Sequence, residues 1–204
     1  MEEFSALFLF AHTFEFRPLL SVPAKAQQDT WLKLLEHKDK LPVDFDQAQF
    51  TDPYLLNKFY SAQFLQDWLN EVSEQEVLER YNLRPGLLHA KIQRVDWLCY
   101  ASIELSKVLG LPAQVSLLER VRARLKYGCK EELLELVQLK GIGRVRARKL
   151  FNAHISSIAR VKKTELADLT ILLGKETALK VKKQLQQVSA SIPKSVPINP
   201  QSKL

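Results

Sequence analysis

Apolar residues recur along this chain at the spacing of a helix and almost nowhere in the alternation of a strand. Phe59, Ala62, Phe64, Leu65, Trp68, Leu69 and Val72 make a broad stripe, which predicts a helix over 53–71. Ile92, Val95, Trp97, Leu98, Cys99, Tyr100, Ile103, Leu105, Val108 and Leu109 wrap nearly the whole circumference of a second segment, 85–109. That pattern predicts a helix surrounded by others, the central rod of a bundle. Around it we expect helices over about 2–15, closed by Arg17-Pro18, over 24–38, ending before Pro42, and over 113–127. Ser73-Glu74-Gln75-Glu76 has the form of a capping box and starts a short helix through about Tyr81; the segment after Pro42 is an acidic loop. Beyond Gly128, short helices are expected over 130–138, 144–153, 156–161, 164–169 and 174–188. The remainder, 189–204, holds Pro193, Pro197 and Pro200 and has the composition of a disordered tail. The fold class is therefore all-α, with a helical bundle around a long central helix over 1–128 and a small helical domain over 129–188.

The small domain contains the most informative run, Leu139-Lys140-Gly141-Ile142-Gly143-Arg144-Val145-Arg146-Ala147-Arg148-Lys149-Leu150. Gly141 and Gly143 allow a tight turn with positive φ and bare the backbone amides to an approaching phosphate. Ile142 plugs the turn into the core, while Ala147 and Leu150 face the preceding apolar segment, Leu133-Leu134-Leu136-Val137. Arg144, Arg146, Arg148 and Lys149 then crowd the positive end of a new helix, where like charges repel unless a polyanion neutralises them. This is the pattern of a helix-hairpin-helix, a module that grips nucleic acid backbone. An ordinary hairpin with a solvated basic face shares parts of it.

Charge distribution sharpens that expectation. Residues 1–90 carry 8 Lys and Arg against 14 Asp and Glu, a balance of −6, and residues 91–204 carry 22 against 9, a balance of +13. The acidic partner therefore belongs to the second half, where the 113–127 helix is read as presenting Arg120, Arg122, Arg124 and Lys126 on its exposed face. Cys99 and Cys129 have neither Cys-x-x-Cys spacing nor a neighbouring His, so no metal or disulfide framework is implied. The apolar run Phe4–Phe10 is too short to span a bilayer and follows Glu2-Glu3 rather than basic residues. A cytoplasmic, nucleoid-associated protein without a membrane partner is the expectation, and the terminal Ser202-Lys203-Leu204 is read as a coincidental match to a peroxisomal address.

Catalytic signatures are missing from the chain. Gly174-Lys175 is followed by Glu176 and lacks the upstream glycine of a phosphate-binding loop, so no nucleotide cofactor and no ATPase activity are expected of this chain alone. His12, His37, His89 and His154 lie apart, with no nucleophile at motif spacing. For a lesion-processing enzyme built on the same hairpin, Lys140 and Asp168 are candidates only by default.

A resemblance now extends the reading. Pro85-Gly86 with Asp96-Trp97-Leu98, then Tyr127-Gly128 with Lys130-Glu131-Glu132-Leu133-Leu134-Glu135-Leu136, then Gly141 through Ala153, resemble the C-terminal part of archaeal HelQ-like, Ski-two-like superfamily two DNA repair helicases. Ser61-Ala62 and Asp67-Trp68 fit as well, and the similarity spans about 50–188. It implies a bundle whose long helix acts as a ratchet on single-stranded DNA, with Trp97 as its stacking residue, followed by a hairpin domain that holds the exiting strand. A base stacked on an indole is worth roughly 1–3 kcal/mol without sequence preference. Two positions depart from the family: Ala90 stands where it carries an Arg, leaving Lys91 or Arg94 to substitute, and His154 stands where a glycine usually caps the second hairpin helix. Trp68 is expected in the core.

The leading expectation is a DNA-binding accessory region of an ATP-dependent repair helicase, without a motor of its own. Its candidate contacts are Lys91, Arg94, Trp97, Arg122, Lys126, Gly141, Ile142, Gly143, Arg144, Arg146, Arg148 and Lys149. Single-stranded or forked DNA is the expected partner, with helicase motor domains in cis or in trans and no small-molecule substrate. The alternative is an adaptor that docks a repair partner or a separate motor subunit.

Overall fold

The structure, a computed structural model, describes residues 2–190, and every regular element among them is helical. These residues divide into two compact units, one through Leu134 and one from Glu135. The expected tail over 189–204 and the terminal Ser202-Lys203-Leu204 lie outside the described residues, save for the first two residues of that tail, which are helical.

The first unit is built on α1 (Glu3–His12), α2 (Gln27–His37), α3 (Phe45–Thr51), α4 (Leu55–Leu69), α5 (Glu74–Arg80), α6 (Pro85–Val108) and α7 (Pro112–Tyr127). Its core is aromatic: Phe8, Phe16, Phe59 and Phe64 are fully buried among Leu7, Leu34, Leu65, Leu69 and Leu88. Each such side chain contributes about 1.5–3 kcal/mol relative to exposure. Trp68 is buried on α4, as expected, and its Nε1 donates to the Leu125 carbonyl of α7 at 2.8 Å. Local signals set the helix ends. Ser73 accepts from the Glu76 amide, Pro85 opens α6, and Gly128 closes α7 in the left-handed region at φ 61°.

Three expectations are corrected here. The acidic loop after Pro42 contains α3, because the Asp44 side chain accepts from the Gln47 amide and Phe45 is buried beneath it. The segment 130–138 is two short 3-10 turns, Glu131–Leu133 and Leu136–Gln138, rather than one α-helix. The long helix α6 is not surrounded: Leu88, Ile92, Val95, Leu98, Cys99 and Ile103 are buried, whereas Trp97, Tyr100, Leu105 and Val108 face solvent. It packs chiefly on α7 and leaves one apolar face open.

Arg124 is a further correction. The sequence set it beside Arg120, Arg122 and Lys126 on an exposed face, but it is buried. Its Nε donates to the Cys129 carbonyl at 3.2 Å, its Nη2 to the Leu69 carbonyl at 3.1 Å, and its Nη1 pairs with the Glu3 carboxylate. One guanidinium thus joins the starts or ends of α1, α4 and α7, using several of its donors at once.

The second unit holds the turn Leu136–Gln138 and α8 (Arg144–Asn152), α9 (Ile158–Lys163), α10 (Leu166–Leu173) and α11 (Lys175–Ala190). Ala147 and Leu150 of α8, Val161 of α9, Leu169 of α10, and Ala178 and Val181 of α11 are all fully buried and form its core. His154 takes the left-handed position after α8, at φ 62°. The His154 amide donates to the Phe151 carbonyl and the Ile155 amide to the Leu150 carbonyl, both at 2.9 Å. These are the two bonds of a Schellman cap, so the missing glycine leaves the cap intact but strained.

Candidate nucleic-acid interface

The hairpin is assembled from a turn and a helix start. Gly141 takes φ 85°, and a side chain there would be strained wherever it pointed. Ile142 is buried and its amide donates to the Leu139 carbonyl at 3.0 Å, closing the turn. Gly143 does not need a positive φ. It is the extended N-cap of α8 at φ −88°, and a Cβ there would meet nothing within 4 Å. Its use is open space in front of the first-turn amides of α8, which have no acceptor inside the helix. The Lys140 amide is not part of that set, since it donates to Gln184 Oε1 of α11 at 3.0 Å.

The cations of this helix are placed unequally. Arg146 is exposed and its Nη1 donates to the Gly141 carbonyl at 2.9 Å, so the guanidinium both fastens the turn and stands at its mouth. Lys149 is exposed one turn later. Arg144 and Arg148 are half-buried, and the Arg148 guanidinium lies 5.1 Å from the Phe151 ring centroid.

In the first unit the candidates lie along α6 and α7. Trp97 presents 56% of its surface to solvent, and Arg94 is exposed one turn before it. Arg94 Nη1 donates to the Glu15 carbonyl at 2.7 Å. Arg122 forms a bidentate pair with Asp96, at 2.9 and 3.0 Å, and lies 5.1 Å from the Tyr100 ring centroid. Lys126 is exposed and joins His89, Gln93, Tyr100 and Lys107 in lining a groove of about 800 Å³ along these two helices.

Lys91 is the exception among the candidates. Only 4% exposed, its Nζ donates to the Pro18 carbonyl at 2.5 Å and to the Phe16 carbonyl at 3.4 Å, and sits 4.3 Å from the Phe16 ring centroid. Burial, with the nearby Arg94 charge, pulls its pKa from 10.5 to about 8. Its stem lies along the apolar side of α6, and the ammonium is spent on fixing the turn after α1. That makes it a structural pin rather than an open surface cation.

Residues 4–128 match the model of the archaeal helicase domain 4 family. The chain belongs to that family. Residues 133–187 match the SAM-like helix-hairpin-helix tandem. Over 184 residues the chain is 35% identical to the ATP-dependent DNA helicase Hel308 of Methanocaldococcus jannaschii, covering 90% of this chain and 14% of the relative. The helicase of the same name from Methanococcus vannielii is 37% identical over 153 residues, covering 74% of the chain and 19% of the relative. That of Thermococcus kodakarensis is 42% identical over 120 residues, covering 58% and 11%. The chain therefore spans less than a fifth of the length of these relatives. Among the described residues no helix is long and apolar enough to cross a membrane.

Proposed function

We propose that this domain 4 and hairpin tandem form the DNA-binding accessory region of an ATP-dependent helicase, gripping single-stranded or branched DNA by backbone contacts and base stacking. The observation that carries the reading is the solvent-facing indole of Trp97 on the longest helix of the first unit. Any base offers a π-face to such a platform, whatever the sequence. The hairpin supplies the complementary contact. First-turn amides of α8 open beside Gly143, and Arg146 and Lys149 supply positive charge there. Motor domains, which the chain's share of its relatives leaves room for, supply ATP chemistry in this reading.

The direct experiment is fluorescence anisotropy at low salt with labelled single-stranded and duplex oligonucleotides. Both should bind, and Trp97→Ala should weaken single strands more than duplex, by roughly fivefold or more for one stacked base. Equal losses on the two substrates would remove the stacking role.

A second reading has its own observation. Leu105, Val108 and Leu109 lie exposed together at the far end of α6, an apolar patch suited to a protein surface. On that reading the chain docks a repair partner or motor subunit, and absence of any oligonucleotide binding at low salt favours it.

A further inference from the structure

Trp97 shares its surface with the turn that follows α1. A hollow of about 310 Å³ is lined by Glu15, Arg94 and Trp97, and a larger one of about 720 Å³ includes Phe14, Glu15, Arg17, Tyr54 and Arg94 in its wall. Glu15 and Arg94 border both, so the two hollows adjoin. Phe14 is 82% exposed and Tyr54 49% exposed, and the Arg17 guanidinium lies 5.2 Å from the Tyr54 ring centroid. The bond from Arg94 to the Glu15 carbonyl fixes this turn against α6. Lys91 holds the same turn from beneath, through the Phe16 and Pro18 carbonyls.

We propose that Phe14, Arg17 and Tyr54 form a second stacking station for single-stranded nucleic acid, continuing the strand from Trp97 across Arg94. The proposal rests on the reading that a strand meets Trp97. Its chemistry is that of an unpaired strand: flat aromatic faces for bases, with the Arg17 guanidinium at Tyr54 and Arg94 in the hollow beside Trp97 to meet adjoining phosphates. The exposed Glu15 carboxylate, in the wall of both hollows, repels phosphates, so a base rather than the backbone faces it. Large aromatic side chains left this open to water on a unit with a well-filled core are surface for a partner rather than packing. Their cationic neighbours match a polyanion.

The test is photocrosslinking of a 16-nucleotide single strand carrying 4-thiothymidine, with mass-spectrometric mapping of the adducts, alongside affinities of variants. Adducts at Phe14 or Tyr54 as well as Trp97 are expected. The double variant Phe14→Ala, Tyr54→Ala should lose roughly fivefold or more on the single strand, much less on duplex, with the melting temperature unchanged because both side chains are exposed. Glu15→Gln should bind as well as the native chain or more tightly. Adducts confined to Trp97, with the double variant binding like the native chain, overturn the second station and leave the Trp97 reading standing. If Trp97→Ala also binds like the native chain and no adduct falls in the first unit, the strand reading fails and the station with it. Equal loss on single strand and duplex overturns base stacking at this turn.

Discussion

Replacing Lys91 by Met separates a structural cation from a DNA contact, and the structure gives the sign and size of the effect. Met keeps the apolar stem and removes the ammonium, which donates to the Pro18 carbonyl at 2.5 Å. A hydrogen bond to a charged group contributes about 1.5–3 kcal/mol. The cost of burying the charge exceeds that gain: the fall in pKa from 10.5 to about 8 is the net penalty on the charged form, about 3 kcal/mol at neutral pH. Lys91→Met, which carries no charge to bury, should therefore be at least as stable as the native chain at pH 7. The pH dependence is more telling. Below pH 8 the lysine is charged in both folded and unfolded chains, and the folded state bears the whole penalty. Between pH 8 and 10.5 the folded protein has released a proton that the unfolded chain still holds. Stability therefore rises with pH across that window. The native chain should gain up to about 3 kcal/mol relative to Lys91→Met between pH 7.5 and 10.5. Urea unfolding followed by tryptophan fluorescence reads the right unit, because Trp31, Trp68 and Trp97 all lie in it. A stability difference that stays flat over this range would refute the net penalty on the buried ammonium. Loss of DNA affinity at unchanged stability would place Lys91 on the strand after all.

Other substitutions probe single elements of the account. His154→Gly relieves the left-handed strain after α8 and should stabilise the second unit by about 1 kcal/mol in thermal melts followed by circular dichroism; a lower melting temperature would contradict the cap assignment. Ile142→Ala empties the buried plug of the hairpin turn and should cost about 2–4 kcal/mol, melting the second unit while leaving tryptophan fluorescence of the first unchanged. Asp96→Asn releases Arg122 from its bidentate carboxylate. Because both partners are about a third exposed, stability should change by under about 1 kcal/mol, while affinity for single strands rises a few-fold; unchanged affinity would show that Arg122 takes no part.

The hairpin was legible because its signals are local and point the same way. Gly141, Ile142, Ala147 and Leu150 each need a particular backbone or burial, and the spacing leaves one arrangement. The bundle was legible in its helices but less so in its surfaces. An apolar residue on α6 reads the same whether a neighbour covers it or not, so periodicity could not separate the buried Val95 and Leu98 from the open Trp97 and Leu105. Charges were harder still. Lys91 and Arg94 differ by one turn, and Arg122 and Arg124 by two residues, yet one of each pair is buried against backbone carbonyls. Those carbonyls belong to Phe16, Pro18, Leu69 and Cys129, on other segments, and only the tertiary fold brings them within reach. The Asp44 cap of α3 was a readable signal, hidden by the assumption that an acidic stretch is a loop. The second station at Phe14, Arg17 and Tyr54 had no linear pattern, since its members are drawn from separate segments.

Binding of a nucleic acid strand through its phosphates, proposed for the hairpin and separately for α6, is read in the salt dependence of affinity. For six phosphates neutralised on a single strand, log K against log salt concentration should fall with a slope of about −4. Arg146→Ala with Lys149→Ala should weaken binding to all sequences alike and bring the slope to about −3, because each phosphate left without its cation removes roughly 0.7 from it. A slope near zero for the native chain, or a double variant with unchanged affinity and slope, would contradict it.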